Sequence, residues 1–219
     1  MSMLTIDKRD LDRHHEPRSF SDRFALGLVG AMRRGFAALF GDRYGHRAVL
    51  LGTVAAVPGM VAASLLHLKC LRRMIDDNGW IRTLMDEAEN QRAHLMAFVQ
   101  IARPSGPERL LILFAQGVTY NLHFVLYLIS PATAHRIAAY FAEDAVRGYS
   151  QYLEGLRSGR YKDLSAPPLA ISYWNLPPDG RLSDMITAIR EDEAIHRDIN
   201  HAFADALAAG KAFPDRPSV

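Results

Sequence analysis

Two stretches of the chain each carry a histidine three residues after a polar side chain that could help to hold a metal. Glu193-Ala194-Ile195-His196 has the Glu-x-x-His spacing, and Gln91-Arg92-Ala93-His94 repeats it with an amide in place of the carboxylate. Residues three apart share one face of a helix, and paired Glu-x-x-His segments hold metals inside helical bundles. A single Glu-x-x-His is common on solvated helices, so the echo at Gln91 is what makes the motif informative.

Composition limits the classes of protein that fit. With 219 residues, 49% hydrophobic and 23% charged, the chain suits one globular domain. A single cysteine, Cys70, excludes a disulfide scaffold and a cysteine-based metal cluster. The net charge of +2 does not indicate a nucleic-acid partner. Nine histidines and 24 acidic residues leave metal binding open, since histidine is the commonest metal ligand.

The elements that must position these residues are helices. Apolar residues recur at helical spacing, no segment shows strand alternation, and Asn78-Gly79, Arg103-Pro104-Ser105-Gly106-Pro107 and Pro177-Pro178-Asp179-Gly180 mark breaks. The pattern predicts an all-α bundle. The predicted helices cover residues 80–102, 108–129, 131–158 and 184–209, with a short segment at 169–176 and a longer apolar stretch ending near Met74.

Two long stretches without charged residues, 48–68 and 110–134, are long enough to cross a membrane. Each also contains proline and polar side chains, among them His67 in the first and Gln116, Asn121 and His123 in the second. We therefore predict that both are bundle helices buried on most sides.

The N-terminal part divides into two segments. Residues 1–20 are charged, lack the apolar core of a secretory signal and are predicted to be a mobile polar tail, followed by the bundle at 21–210 and a C-terminal tail at 211–219. Within the bundle, residues 24–40 form an amphipathic helix with Phe24, Leu28, Met32 and Phe36 near one face beside Arg33 and Arg34. Such a helix either lies in a membrane interface or caps the core.

The order of the motifs resembles the alternative oxidases, the di-iron quinol oxidases of respiratory chains. The resemblance covers roughly residues 47–208. It is carried by Arg47-Ala48-Val49-Leu50-Leu51-Gly52-Thr53, Glu87-Ala88-Glu89-Asn90-Gln91-Arg92-Ala93-His94, Tyr127-Leu128-Ile129-Ser130-Pro131, His135-Arg136, Tyr173-Trp174 and Arg190-Glu191-Asp192-Glu193-Ala194-Ile195-His196. The resemblance implies a ferritin-like four-helix bundle of long antiparallel helices, with the amphipathic helix at its N-terminus.

The chain departs from that family where its metal ligands should be. The family's ligand glutamates correspond to Gly52, Gln91, Ala142 and Glu193, so only the last position keeps a carboxylate. Both histidines, His94 and His196, remain. The neighbouring acids Glu87, Glu89 and Glu143 match positions that are not ligands, and we predict that none of them replaces the missing groups without a change of register.

The surroundings of the site are better preserved. By resemblance, Tyr149 is the tyrosine beside the di-iron centre, and a hydrophobic quinol pocket lies around Arg47, Leu51 and Ala145. The resemblance also implies hydrogen bonds around the centre from Asn90, His135, Tyr173 and Asp192, and an ion pair between Arg92 and Asp192.

Three functions follow as hypotheses. In the first, the protein keeps the fold and pocket, binds a quinone-like or apolar aromatic molecule without a competent di-iron site, and uses Glu193, His94, His196 and Tyr149 for any acid–base chemistry. In the second, His94, His196 and Glu193 hold one iron as a two-histidine, one-carboxylate site. In the third, rearranged ligands still support a ubiquinol oxidase with the two irons of the family.

Partners and location follow from the resemblance. Family members are monotopic dimers on one membrane leaflet, which implies a homodimer bound to a membrane surface and no nucleic acid. We expect the cytoplasmic side of a bacterial-type inner membrane, or a soluble cytoplasmic protein if the membrane face is lost.

Overall fold

The computed structural model describes residues 10–40 and 44–211. Within these ranges the chain forms seven α-helices and no β-strand, apart from one isolated bridge between Ser165 and Arg181. The all-α prediction is confirmed. The helices are α1 (Phe20–Phe40), α2 (Tyr44–Arg73), α3 (Trp80–Ala102), α4 (Gly106–Ile129), α5 (Pro131–Arg157), α6 (Pro168–Trp174) and α7 (Leu182–Ala208).

Four long helices form the bundle that contains the site. α2 packs along α3, α5 packs along α7, and the two pairs meet through α2 with α5 and α3 with α7. One core cluster includes Phe98, Leu153 and Ile186, and a second includes Trp80 and Phe203, whose rings stack at 3.7 Å between centroids. Because residues of α3 and α7 converge between these clusters, their inward faces can build a site in the bundle interior.

The helix ends are set by local chemistry. Arg103 ends α3 with a left-handed backbone (φ 46°), and the Glu108 carboxylate accepts a hydrogen bond from the Ser105 backbone N–H over 2.8 Å at the start of α4. Ser130 caps α5, whose first residue is Pro131. These breaks lie where the sequence predicts them, so the boundaries of α3, α4 and α5 agree with the prediction to within two residues.

Gly59 allows α2 and α3 to approach closely. A Cβ atom at this position would lie 2.9 Å from the backbone oxygen of Leu84 and 3.3 Å from the Cβ of Ala88. This carbonyl belongs to the backbone of α3, so a side chain at Gly59 would push the two helices apart. Gly52, which the resemblance aligns with a ligand glutamate, is different: a Cβ there would meet Leu95 at an ordinary 3.6 Å.

The two long apolar stretches differ in how far they are buried. α2 is mostly buried, as predicted, but α4 is mostly exposed. Only His123 and Tyr127 of α4 are buried, whereas Leu113, Phe114 and Leu122 are each more than 60% exposed. The prediction for α4 was wrong because apolar content does not distinguish a core helix from one that presents apolar side chains outward.

α1 serves as a cap and also presents an apolar outer surface. Ala25 and Val29 pack against Tyr140 of α5, while Phe20 and Phe24 on the other side are 80% and 48% exposed. The alternative in which this helix caps the core is therefore confirmed for its inner side, and the membrane alternative stays a prediction.

Residues 10–18, here called the N-terminal strap, lie against α5 and α7. The Arg197 guanidinium donates to the backbone oxygens of Asp10 and Arg13 over 3.0 and 3.3 Å, and the Tyr140 hydroxyl donates to the His15 oxygen over 3.0 Å. The His15 ring stacks on His201 at 4.4 Å between centroids. This part of the segment that we predicted to be a mobile tail is held on the bundle, and the His201 side chain that it covers is buried.

Candidate functional site

The centre of the site is an amide where the resemblance places a carboxylate. Gln91 on α3 donates from Nε2 to Glu193 Oε1 over 3.0 Å, and the same nitrogen lies 3.0 Å from His196 Nδ1. All three side chains are at least 95% buried. Burial lowers the pKa of His196, but the carboxylates of Glu193 and Glu87 outweigh it and raise the pKa, so the amide N–H of Gln91 and a proton compete for the lone pair of His196 Nδ1. The amide thus bridges the Glu-x-x-His pair of α7.

His94 is a buried cation between two carboxylates. Its Nε2 lies 3.1 Å from Asp192 Oδ2, and its Nδ1 lies 3.3 Å from Glu193 Oε1. Burial lowers the pKa of His94, but hydrogen bonding and charge from Asp192 and Glu193 outweigh it and raise the pKa to about 9. Burial likewise raises the pKa of Glu193, but His196 and His94 overcome it and lower the pKa to about 2.

These charge states limit the chemistry of the site. At neutral pH Glu193 is ionised and His94 is protonated, and neither has a pKa near neutrality, where general acid–base catalysis is most effective. The charges compensate one another inside the bundle, so the arrangement suits hydrogen bonding and binding better than proton transfer.

Asp192 is the hub of the first hydrogen-bond network. Its Oδ2 accepts from Asn90 Nδ2 and Trp174 Nε1, both over 2.8 Å, in addition to the contact with His94. Asn90 also donates to the Tyr173 hydroxyl over 3.2 Å. Asn90, Tyr173 and Asp192 therefore come together as predicted.

Arg92 does not join that network. It is exposed and pairs with Glu89 on its own helix, with Nη2 2.7 Å from Glu89 Oε1. The predicted ion pair with Asp192 was wrong, because one turn of helix brings Glu89 beside Arg92 at the surface while Asp192 is already surrounded by donors.

A second buried network lies one helical turn away. The Tyr127 hydroxyl is 3.3 Å from His135 Nε2, His135 Nδ1 donates to Asn200 Oδ1 over 2.8 Å, and Asn200 Nδ2 donates to both oxygens of Glu87 within 3.0 Å. Asn200 Nδ2 also contacts the backbone oxygen of His196. His135 thus supports the site through Asn200.

Glu87 is a second carboxylate inside the bundle. It is 6% exposed, and burial raises its pKa, opposed by the charge of His196 and the hydrogen bond from Asn200. The sequence reasoning set it aside because it matches no ligand position. The structure places it in the interior, although its oxygens are taken by Asn200. Glu89 and Glu143 point elsewhere as predicted, Glu89 to Arg92 and Glu143 to the strap.

A cavity of about 110 Å³ opens between α1, α2, α5 and the buried cluster. Its apolar wall includes Leu51, Ala55 and Ala145, its inner end reaches Gln91 and Glu193, and Gly52 and Tyr149 also line it. The Tyr149 ring stacks on Phe98 at 6.1 Å between centroids. The predicted pocket residues Leu51, Gly52, Ala145 and Tyr149 are thus brought together with Gln91 and Glu193.

Two predicted site residues are not part of this cavity as described. Ala142 is buried in α5 but does not line the cavity. Arg47 lies on α2, but its side chain is outside the described residues.

Among the described residues, no three histidine, cysteine, aspartate or glutamate side chains are grouped so that they could hold a metal ion. Glu193 does meet both histidines, with Oε1 3.3 Å from His94 Nδ1 and Oε2 3.7 Å from His196 Nδ1. Their rings are 6.0 Å apart between centroids. The three candidate ligands of the one-iron hypothesis are neighbours, but Gln91 donates into the space between them.

Sequence reasoning missed two residues that organise the site, Trp174 and Asn200. Trp174 directs its indole N–H at Asp192 and stacks on His94 at 5.7 Å between centroids. Asn200 lies four residues after His196, one turn along the same face of α7. That spacing was the signal that could have found it.

Comparison with known proteins places this geometry in a family. The sequence profile described as "Alternative oxidase" matches residues 6–205. "Ubiquinol oxidase, mitochondrial" from Mangifera indica is 50% identical over 209 residues, which are 95% of this chain and 66% of that protein. "Ubiquinol oxidase 2, mitochondrial" and "Alternative oxidase 3, mitochondrial", both from Glycine max, are 48% and 47% identical over 95% of this chain and 63% and 64% of their own lengths.

This chain therefore spans slightly less than two thirds of the length of these relatives. The match nevertheless covers nearly all of the chain itself and includes α1 to α6 and all but the last three residues of α7. The chain belongs to the alternative oxidase family.

Proposed function

We propose that this member of the alternative oxidase family binds a quinone-like or other apolar aromatic molecule in the cavity beside Gln91 and Glu193, without a competent di-iron centre. The observation that carries the proposal is the Gln91–Glu193 hydrogen bond at the inner end of a cavity whose wall includes Leu51, Ala55 and Ala145, with Arg33, Asp144 and Arg147 also lining it. It replaces a metal-binding arrangement by an internal amide bridge and leaves the pocket open.

The residues present do not fit two irons. Two bridged metals need several carboxylates to supply ligands and balance charge, and three of the four corresponding positions are Gly52, Gln91 and Ala142. The amide hydrogens of Gln91 are directed at Glu193 and His196, where they occupy the lone pairs that a metal would use. Glu87, the remaining buried acid, is held by Asn200.

The cavity suits an aromatic ring. Small-molecule sites are mostly apolar and contain a few polar groups that fix the orientation of the ligand. Here the apolar wall comes from α2 and α5, and Gln91 and Glu193 provide the polar end. The relatives are named as ubiquinol oxidases, which supports a ring of the quinone type.

Binding of a short-chain ubiquinone analogue, measured by calorimetry, tests the proposal. We expect saturable binding to the purified protein. Ala145→Trp fills the cavity that Ala145 lines and is expected to weaken binding by at least about tenfold, because the bulky ring takes the space of the ligand. Ala208→Trp, at an exposed position near the end of α7, is the matched control. Equal binding to the Ala145→Trp variant would contradict the proposal.

Two other functions remain as alternatives with their own tests. One iron held by Glu193, His94 and His196 would appear as one stoichiometric metal that is lost in His94→Ala. A ubiquinol oxidase with rearranged ligands, which the names of the relatives favour, would appear as quinol-dependent oxygen uptake.

The exposed apolar side chains of α1 and α4 favour a membrane surface as a partner. The start of α1 contacts the junction of α4 and α5, because Ser21 Oγ and Ser130 Oγ each lie 2.7 Å from Thr133 Oγ1. Phe20 and Ile129, 80% and 77% exposed, are next to these contacts. An apolar surface shared by two helices suits insertion into one leaflet, which is the monotopic attachment that the family resemblance implies.

Flotation with phosphatidylcholine vesicles tests the attachment. The wild-type chain is expected to float, and Leu113→Glu with Phe114→Glu, on exposed positions of α4, is expected to stay at the bottom of the gradient while keeping its helical circular dichroism. We also propose a homodimer on the cytoplasmic side of a bacterial-type inner membrane. Sedimentation in detergent measures the dimer, and protease access in sealed membranes measures the side.

A further inference from the structure

The side-chain oxygen of Gln91 is a buried hydrogen-bond acceptor without a partner in the described part of the chain. Gln91 is 4% exposed and lines the cavity. A buried polar atom without a partner is destabilising relative to one that makes a hydrogen bond. Gln91 Oε1 therefore favours the binding of a group that can donate a hydrogen bond to it.

The free atom must be the oxygen and not the nitrogen. Nε2 is committed to Glu193 Oε1 and His196 Nδ1, each 3.0 Å away. Reversing the amide would place Oε1 at 3.0 Å from an ionised carboxylate, two acceptors facing each other. Glu193 thus fixes the orientation of the amide and leaves Oε1 as the unused acceptor.

The walls of the cavity restrict the rest of the ligand. Leu51, Ala55 and Ala145 offer apolar contact, and the cavity of about 110 Å³ is smaller than the apolar cavity of about 150 Å³ that takes benzene, so its space limits the ligand to one small ring. The Glu193 carboxylate at the same end disfavours an anion. Arg33, Asp144 and Arg147 also line the cavity, so this restriction applies to its inner end, where the group that meets Gln91 Oε1 beside Glu193 must donate and is favoured when neutral.

We infer that the cavity selects a neutral aromatic molecule with a free hydroxyl, and that this hydroxyl donates to Gln91 Oε1 in the space next to Glu193. The inference rests on the proposed function, since it names the chemistry of the ligand for the same cavity. It also separates the two oxidation states of a quinone-like ring, because a hydroquinone carries O–H donors and a quinone carries only acceptors.

Two probes that differ only in the donor test the inference. 4-Methylphenol has the hydroxyl, and 4-methylanisole has the same ring with the hydroxyl methylated. The ratio of their dissociation constants is compared between the wild type and Gln91→Met, so that the difference in hydration of the probes cancels. We expect Gln91→Met to weaken the binding of 4-methylphenol relative to 4-methylanisole by roughly three- to tenfold, which is the usual effect of losing one hydrogen bond. Gln100→Met, at an exposed position of α3 that does not line the cavity, is the matched control and should leave the ratio unchanged.

A measurement on the wild type keeps the test independent of the folding of the variant. The side-chain carbonyl carbon of Gln91 in ¹³C NMR is expected to shift on addition of 4-methylphenol and not on addition of 4-methylanisole. Binding of both probes with an unchanged ratio in Gln91→Met, or with equal carbonyl shifts, would overturn this inference and leave the proposed function standing. Binding of neither probe and of no ubiquinone analogue would overturn both.

Discussion

Gln91 and Glu193 join α3 to α7 through one hydrogen bond of 3.0 Å in the interior of the bundle. The donor is an amide at a position where the alternative oxidase motif has a ligand glutamate. A carboxylate at this distance from Glu193 would need a metal or a proton between the two, whereas the amide needs neither. The pair therefore joins the two helices without a charge repulsion at the position that the resemblance assigns to a metal ligand.

Gln91→Glu restores the carboxylate of the family motif and is expected to destabilise the metal-free protein. The new carboxyl would face Glu193 in a buried place, and we expect a loss of about 2–4 kcal/mol in the free energy of unfolding at pH 7. The loss should shrink as the pH falls towards 5, because protonation of the new carboxyl, whose pKa is raised by burial and by Glu193, removes the repulsion. Urea unfolding in the presence of a chelator measures it.

Gln151→Glu adds the same charge at an exposed position of the cavity mouth and should change the urea midpoint little. If the Gln91→Glu and Gln151→Glu proteins unfold at the same urea concentration, the amide bridge is not important for stability.

Two glycines of α2 are expected to respond in opposite ways to the same substitution. Gly59→Ala should lose about 1–3 kcal/mol, because the new Cβ would lie 2.9 Å from the Leu84 oxygen and the helices would have to separate. Gly52→Ala should gain stability of up to about 1 kcal/mol, because its Cβ meets Leu95 at 3.6 Å and alanine is the better helix former. Thermal unfolding followed by circular dichroism distinguishes them. Equal melting temperatures for the two variants would show that α2 and α3 are not packed as described.

Arg136 on α5 connects this helix to α1 and α7, and we expect its replacement to lower the free energy of unfolding strongly. It donates to Asp22 of α1 and His201 of α7, each over 2.7 Å, and to Asp205. Arg136→Met leaves Asp22 buried without its cation and should lower the free energy of unfolding by about 3–5 kcal/mol.

The exposed pair Arg82 and Asp86 supplies the control for this measurement. Arg82→Met removes an ion pair that is screened by solvent, and the urea midpoint should change little. A similar midpoint for Arg136→Met would mean that the packing of α1 on the bundle does not depend on this arginine.

His135 makes the stability of the fold depend on pH on the acidic side. Burial lowers the pKa of His135 to about 4 from its ordinary 6.5, against a smaller opposite effect of Asn200. As the pH falls from 6.5 towards 4, the unfolded chain takes up a proton before the folded one, so that stability is lost in this window and is unaffected above it. The loss at pH 5 should be of the order of 1–2 kcal/mol.

Melting temperatures at pH 7 and pH 5 measure this effect. The difference between them should shrink in His135→Gln and stay as in the wild type in His67→Gln, which changes an exposed histidine. An unchanged difference in His135→Gln would show that the histidine is not buried in the neutral form.

The fold was predictable from the sequence because its signals are local. Proline and glycine breaks and helical spacing give the limits of α3 to α5, and the confirmed family resemblance gives the bundle. The outward face of α4 was not predictable, since leucine and phenylalanine have the same pattern towards a core and towards a membrane or partner.

The residues of the site were predictable from the sequence, but the hydrogen bonds and ion pairs between them were not. Gln91, Glu193, His94 and His196 meet as their spacing on α3 and α7 requires. The hydrogen bond between Gln91 and Glu193 depends on the distance between two helices. Arg92 pairs with Glu89 and not with Asp192 because Asp192 already accepts hydrogen bonds from other donors. Neither property is visible in one sequence. The place of Asn200 between His135 and Glu87 links three helices and was missed for the same reason.

Iron content is the most direct test of the central claim, that a carboxylate-poor bundle keeps its pocket without a di-iron centre. The chain should be expressed in iron-supplemented medium, purified without chelator and analysed for metal by mass spectrometry together with quinol-dependent oxygen uptake. We predict iron well below one atom per chain, no quinol-dependent oxygen uptake, and retained binding of the ubiquinone analogue. Two irons per chain with oxygen uptake on quinol would contradict the account.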